Sequence, residues 1–116
     1  MYNYIEIEEE KLEFVVVAEH DELGDGERIQ FEIDGVAIAL FKIAGEYYAI
    51  ADLCSHDDGL VAEGEIEGHE VICPRHGAHF DLRNGKALTM PAVVDIPAYP
   101  VRVDEGEVLV GIPIKA

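Results

Sequence analysis

Two short stretches of the sequence gather the residue types able to hold a metal, CSHDDGL at 54–60 and CPRHGAHF at 73–80. Each sets a cysteine close to a histidine, Cys54 with His56 and Cys73 with His76, in the pattern C-x-H-x16-C-x2-H. These are the only two cysteines of the chain. A thiol pair by itself would suit a disulfide. A thiolate and an imidazole repeated in two loops suit a metal instead: zinc in tetrahedral Cys2His2 coordination, or iron in a cluster whose two irons differ in ligand type. A zinc finger of the usual sort groups its cysteines together and its histidines together on a helix. Here the types are mixed within each loop, so neither loop can complete the ligand set alone.

Loops of this kind need a rigid base, and the rest of the sequence reads as one built of strands. RIQFEID (28–34) alternates, with Ile29, Phe31 and Ile33 on one face and polar residues on the other. Gly35 turns the chain into VAIALFKI (36–43), and AGE turns it again into YYAIADL (47–53), a meander of three strands. YPVRV (99–103), the turn DEGE and VLVGI (108–112) form a closing hairpin with valines alternating toward a core. Between these ends, IEGHEVIC offers two short strands around Glu67 and Gly68, and HFDLRNGKAL offers a tight hairpin turning at Asn84 and Gly85. No long stretch has helical period. The expectation is an all-β fold: an antiparallel β-sandwich or barrel base with an inserted subdomain, at about 53–91, whose two loops carry the Cys/His patches.

A length of 116 residues suits one domain, 1–116, able to bury a core without disulfide staples. Hydrophobic residues make up 49% and charged residues 28%, as in soluble globular chains. The N-terminal MYNYIEIEEEKLEF carries glutamates where an export signal needs a basic start and an apolar run. No window approaches the roughly 18 apolar residues of a membrane helix. A cytoplasmic protein with reduced thiols is expected. With 25 acidic and 8 basic residues the net charge is −17. Such a chain is repelled by nucleic-acid phosphates and anionic lipid, so neither nucleic acid nor membrane is expected as a partner, and a charged partner should be basic. No glycine-rich dinucleotide fingerprint is present, so the chain takes no hydride from a nicotinamide or flavin of its own.

The mixed Cys/His loops in an all-β setting resemble the Rieske family. The run HGAHFDLRNGKALTMPAVVDIPAYPVRV is similar, in the spacing of HGA, FDL, NGKAL, PA and YPV, to the small ferredoxins of multicomponent aromatic-ring dioxygenase systems. The resemblance implies one [2Fe-2S] cluster, with Cys54 and Cys73 on the buried iron and His56 and His76 on the iron nearer the surface, through which electrons leave. By the same resemblance Gly59 and Gly77 let backbone N–H groups approach the sulfides, Pro74 stiffens the second loop, and Leu60 and Pro91 shield the cluster. His20, His69 and His79 fit no ligand position. Imidazoles are neutral, so two thiolates cancel the charge of the oxidised core and one electron leaves a single negative charge. Rieske centres therefore span roughly −150 to +300 mV, against about −400 mV for plant-type ferredoxins.

Within that span the sequence points low. High-potential members carry an extra cysteine in each loop, joined as a disulfide, where this chain has Gly59 and Arg75. They also place serine and tyrosine hydroxyls that donate to sulfur, where this chain has Ala78 and Phe80. Asp57 and Asp58, beside His56, oppose an incoming electron. A charge about 8 Å away in an effective dielectric of about 20 costs on the order of 2 kcal/mol before screening, and solvent removes much of that at exposed loop positions.

The chain has no room for the domain that holds mononuclear iron in terminal oxygenases, so it is expected to be an electron carrier and not an enzyme. The resemblance implies a monomer that docks briefly with a flavin-dependent reductase and then with a terminal oxygenase. The small subunit of an assimilatory nitrite reductase is built similarly and is the alternative within the fold. A zinc-stabilised interaction module is the alternative from another class.

Overall fold

The computed structural model describes residues 9–53, 60–74, 77–90 and 94–114. Three of the ligand candidates, Cys54, His56 and His76, lie outside those residues, as do Asp57, Asp58, Gly59, Arg75 and Pro91.

The meander is β2 (Arg28–Ile33), β3 (Val36–Ile43) and β4 (Glu46–Ala51), antiparallel throughout, from Arg28↔Phe41 to Ile33↔Val36 and from Ile38↔Ala51 to Ile43↔Glu46. Its two turns share one solution. Asp34–Gly35 and Ala44–Gly45 both place two successive residues at positive φ, 52° and 81° in the first and 51° and 82° in the second. That backbone matches the right-handed twist of the flanking strands, and glycine takes the second position without strain. Glu105–Gly106 repeats it at 50° and 81° between β9 (Val101–Asp104) and β10 (Glu107–Pro113).

β8 (Ala98–Tyr99) extends the meander sheet to the order β2–β3–β4–β8, whereas β9 and β10 belong to a second sheet, β1–β10–β9. The run read as one strand, YPVRV, is therefore split at Pro100, which has no N–H to continue a ladder. The first strand, β1 (Leu12–Glu19), is not marked in the sequence, because its LEFVVVAE run does not alternate throughout. A register shift between Val16 and Ala18, a β-bulge against β10, changes the phase of the side chains midway.

In the meander sheet, the middle of β3 and the end of β4 are buried on both faces. Ile38, Leu40, Ala49 and Ala51 pack toward the β1–β10–β9 sheet with Val108, Val110 and Ile112. Ala39, Phe41 and Ile50 face the other way, into a core shared with Val61, Ala62, Val71, Cys73, Ala78, Phe80, Leu82 and Ile96. Period-two alternation thus gives β3 an unbroken buried run from Ile38 to Phe41, because each face has its own core. Ile29, Phe31 and Ile33 of β2 pack against the first core as their alternation predicts.

The insertion forms a third sheet of β5 (Ile66–Glu67), β6 (Glu70–Ile72) and β7 (His79–Asp81). The hairpin expected at Asn84–Gly85 closes on a single bridge, Phe80↔Ala87. Hydrogen bonds from Gly85 N–H to the Asp81 carbonyl (2.7 Å) and from Ile96 N–H to the Gly85 carbonyl (2.8 Å) hold the turn instead. Gly85, at φ 76°, is required there, since a Cβ would lie 1.9 Å from the Ile96 carbonyl oxygen.

Candidate metal centre

The second Cys/His patch leaves β6 at Ile72 and returns in β7 at His79. Its base is closed by the Cys73 N–H donating to the Ala78 carbonyl at 2.7 Å and the Gly77 N–H donating to the Cys73 carbonyl at 3.0 Å. Cys73 has only 1% of its surface exposed and packs in the core that holds Val61, Ala62, Ala78 and Phe80. Gly77 also has a backbone reason to be glycine. Its φ of 75° is a left-handed conformation that favours glycine, and a Cβ there would meet nothing within 4 Å among the described residues. Its N–H is engaged by the Cys73 carbonyl.

For the first patch the structure describes the two flanks. Upstream, β4 delivers Asp52, which is buried at 3% exposure and whose N–H donates to the Ala37 carbonyl at 2.9 Å. Downstream, Leu60 is exposed, while Val61 and Ala62 are fully buried beside Cys73. The Asp52 carboxylate joins these flanks: Oδ1 accepts the N–H groups of Val61 (2.9 Å) and Ala62 (2.8 Å), and Oδ2 accepts Gln30 Nε2 (2.8 Å). Arg28, two residues before Gln30 on the same face of β2, donates from Nη1 to the Ala62 carbonyl at 2.8 Å and to the Gly64 carbonyl, and its guanidinium lies 5.5 Å from the Phe41 ring centroid. Gly64 in turn presses on the second patch, for a Cβ there would sit 1.7 Å from the Ile72 carbonyl oxygen and 3.3 Å from Pro74 Cδ.

Asp52, Gln30 and Arg28 escaped the sequence reading. Their signals were present: a carboxylate inside the apolar run YYAIADL, which burial would force to find donors, and two long polar side chains on the face of β2 opposite its isoleucines. What pairs them is the tertiary fold alone.

The remaining histidines have partners of their own among the described residues. His79 Nδ1 meets Glu70 Oε1 at 2.8 Å, His20 Nδ1 meets Asp21 Oδ1 at 3.0 Å, and His69 stands edge-on to Tyr48 at 5.6 Å between centroids. Among the described residues no three His, Cys, Asp or Glu side chains gather as a metal site. The positions matching the hydroxyl donors of high-potential proteins, Ala78 and Phe80, are both fully buried beside Cys73. Asp81, next along β7, is held by Arg83 through Nε and Nη2, each at 3.0 Å. Burial pushes its carboxyl up, but the Arg83 hydrogen bonds and charge outweigh this and leave it below the ordinary aspartate range.

A shielded thiol in an apolar core, on a loop pinned to the flank of the other Cys/His patch, fits a cluster that needs its thiolates screened from water and its imidazoles supplied from the same two loops. The comparisons agree. The Rieske [2Fe-2S] domain family matches residues 13–100. The chain is 41% identical over 90 residues to the 3-phenylpropionate/cinnamic acid dioxygenase ferredoxin subunit of Escherichia coli (strain K12), covering 77% of this chain and 84% of that protein. It is 37% identical over 89 residues to the ferredoxin component of the naphthalene 1,2-dioxygenase/salicylate 5-hydroxylase systems of a Ralstonia species, covering 77% and 86%. Its fold superposes with a TM-score of 0.82, at 27% identity and over 89% of this chain and 96% of the other, on a chain from the complex of reduced oxygenase and oxidized ferredoxin in carbazole 1,9a-dioxygenase. The buried Cys73, the all-β frame and these matches lead to one conclusion: the chain belongs to the Rieske [2Fe-2S] family.

Proposed function

We propose that the chain is a low-potential one-electron carrier, a single domain that holds its [2Fe-2S] cluster through Cys54, His56, Cys73 and His76 and passes electrons from a flavin-dependent reductase to a terminal aromatic-ring dioxygenase. The observation that carries the reading is the shared core: Val61 and Ala62, just after the first patch, are buried against Cys73 of the second. Both patches therefore issue from one packed end of the molecule. When bound, the cluster supplies a site that takes up one electron and gives it back unchanged in composition. The protein contributes the shielding of Cys73 and, at Ala78 and Phe80, both at 0% exposure, side chains that carry no hydroxyl, which favours a potential near the bottom of the Rieske range.

The partners follow from the relatives and from the surface. Dioxygenase ferredoxins at 37% and 41% identity, and a carbazole ferredoxin captured with its oxygenase, support an oxygenase as acceptor. From the bridge Phe80↔Ala87, with the Leu88 N–H donating to the His79 carbonyl at 2.8 Å, the chain runs antiparallel to β7, back toward Gly77. On this run Leu88 and Met90 are exposed at 43% and 75%, and Leu60, just after the first patch, is exposed as well. Exposed apolar side chains on a chain of net charge −17 suit brief docking to basic partner faces. No helix among the described residues is long and apolar enough to cross a membrane, and the assignment to the cytoplasm is part of this proposal.

Purified protein tests the reading directly. The expected result is a red-brown solution with a broad visible spectrum and, once reduced, a Rieske EPR signal, lost in Cys54→Ser and Cys73→Ser variants. A colourless, zinc-containing protein would overturn it.

A further inference from the structure

The first Cys/His patch is tied down by a device outside the ligand set. Asp52 is a carboxylate at 3% exposure, and among the described residues its partners are three N–H donors and no cation: Val61 and Ala62 on Oδ1, Gln30 on Oδ2. A buried polar group so placed is costly unless hydrogen-bonded, and truncating it would leave two consecutive amide N–H groups without this acceptor in an apolar core. The segment it grips is also the one that touches the other patch. Arg28 holds the Ala62 and Gly64 carbonyls from below, and Gly64 lies against the Ile72 carbonyl and the Pro74 ring on either side of Cys73. Residues 61–64 thus link the downstream end of one loop to the root of the other.

We propose that Asp52 is the positioning residue of the cluster site: it fixes both ends of the 53–60 loop and, through residues 61–64, sets that loop against the loop of Cys73. Gln30 supports it by holding Oδ2. The proposal rests on the ligand assignment above but concerns a different residue and a different property, the geometry and retention of the bound cluster. A loop anchored at one point beyond its ligands samples many end-to-end geometries. Anchoring its two ends on one carboxylate, which is itself fixed in the sheet, removes that freedom before the ligands are used.

The test uses full-length holoprotein and two substitutions. Asp52→Asn keeps an oxygen for the Val61 and Ala62 N–H groups, and the Gln30 amide can turn its own oxygen toward the new NH2. Asp52→Ala removes the acceptor. The readouts are the g-values of the reduced cluster by EPR and the rate at which excess chelator bleaches the visible spectrum, with far-UV circular dichroism to follow the fold. In Asp52→Ala the expectation is native circular dichroism, bleaching at least about tenfold faster and altered g-values, with Asp52→Asn rescuing both to within about threefold of wild type. An Asp52→Ala protein with wild-type g-values and bleaching overturns the proposal, as does an Asp52→Asn protein that bleaches as fast as Asp52→Ala. Should Asp52→Ala fail to fold, hydrogen exchange in the wild-type holoprotein decides: amides of residues 61 and 62 protected over the exchange course support the latch, and exchange at the free-peptide rate sinks it. The two failures read apart, since a wild-type protein lacking the Rieske signal counts against the ligand assignment, whereas a wild-type signal that Asp52→Ala leaves unchanged counts against the latch.

Discussion

Around Cys73 the side chains that pack are also the ones that withhold hydrogen bonds. Ala78 pairs its carbonyl with the Cys73 N–H at 2.7 Å, and Phe80 lies in the same core, both with no exposed surface. A hydroxyl placed at either position would favour the reduced, more negative form of a neighbouring sulfur site. Hydrogen bonds to charged groups are worth about 1.5–3 kcal/mol, and for one electron about 1.4 kcal/mol corresponds to about 59 mV. Only part of the bond energy distinguishes the two oxidation states. Ala78→Ser and Phe80→Tyr are each expected to raise the midpoint potential by about 50 mV, measured by protein-film voltammetry. A potential that stays put or falls in both would show that the missing donors are not what keeps it low.

The β7 strand and the turn after it are organised by one ion pair. Asp81 Oδ1 accepts both the backbone N–H of Arg83 at 2.9 Å and its Nε, and Oδ2 accepts Nη2, while the Asp81 carbonyl accepts the N–H of Gly85 at 2.7 Å. Arg83 is mostly exposed, which discounts the Coulombic part of the pair. The backbone bonds keep the turn shut and so hold β7, and with it the return from Cys73, in register. Because the carboxyl ionises below the ordinary aspartate value of 3.8, its contribution to stability is full above that value and is lost as pH falls through the lower folded value. Asp81→Asn is expected to cost about 1 kcal/mol in urea unfolding at neutral pH. The gap to wild type should close in acid, below about 3.8. A gap that is constant across that range would mean the charge contributes nothing.

At the scale of the molecule, the charge of −17 acts over distances the local contacts do not reach. The Debye length shrinks from about 30 Å at 0.01 M salt to about 10 Å at 0.1 M, so attraction to a basic partner face should fade across that interval. Stopped-flow reduction by the cognate reductase is expected to slow by about tenfold over it, and a rate indifferent to salt would remove steering from the account. The sequence by itself determined the chemistry and most of the frame. C-x-H-x16-C-x2-H specifies a mixed donor set whatever the fold, and the alternation of β2 and of Val108, Val110 and Ile112 specifies faces, because side chains in a strand must point to opposite sides. The bulged β1, the break at Pro100 and the single-bridge turn after β7 were not legible, since each depends on a partner strand or on a hydrogen bond formed far along the chain. Only the tertiary structure could bring Gln30, Asp52, Val61 and Ala62 together. A carboxylate among apolar residues announces that it needs donors, but which amides supply them is decided by how the sheets and the insertion pack, and no spacing in the sequence encodes it.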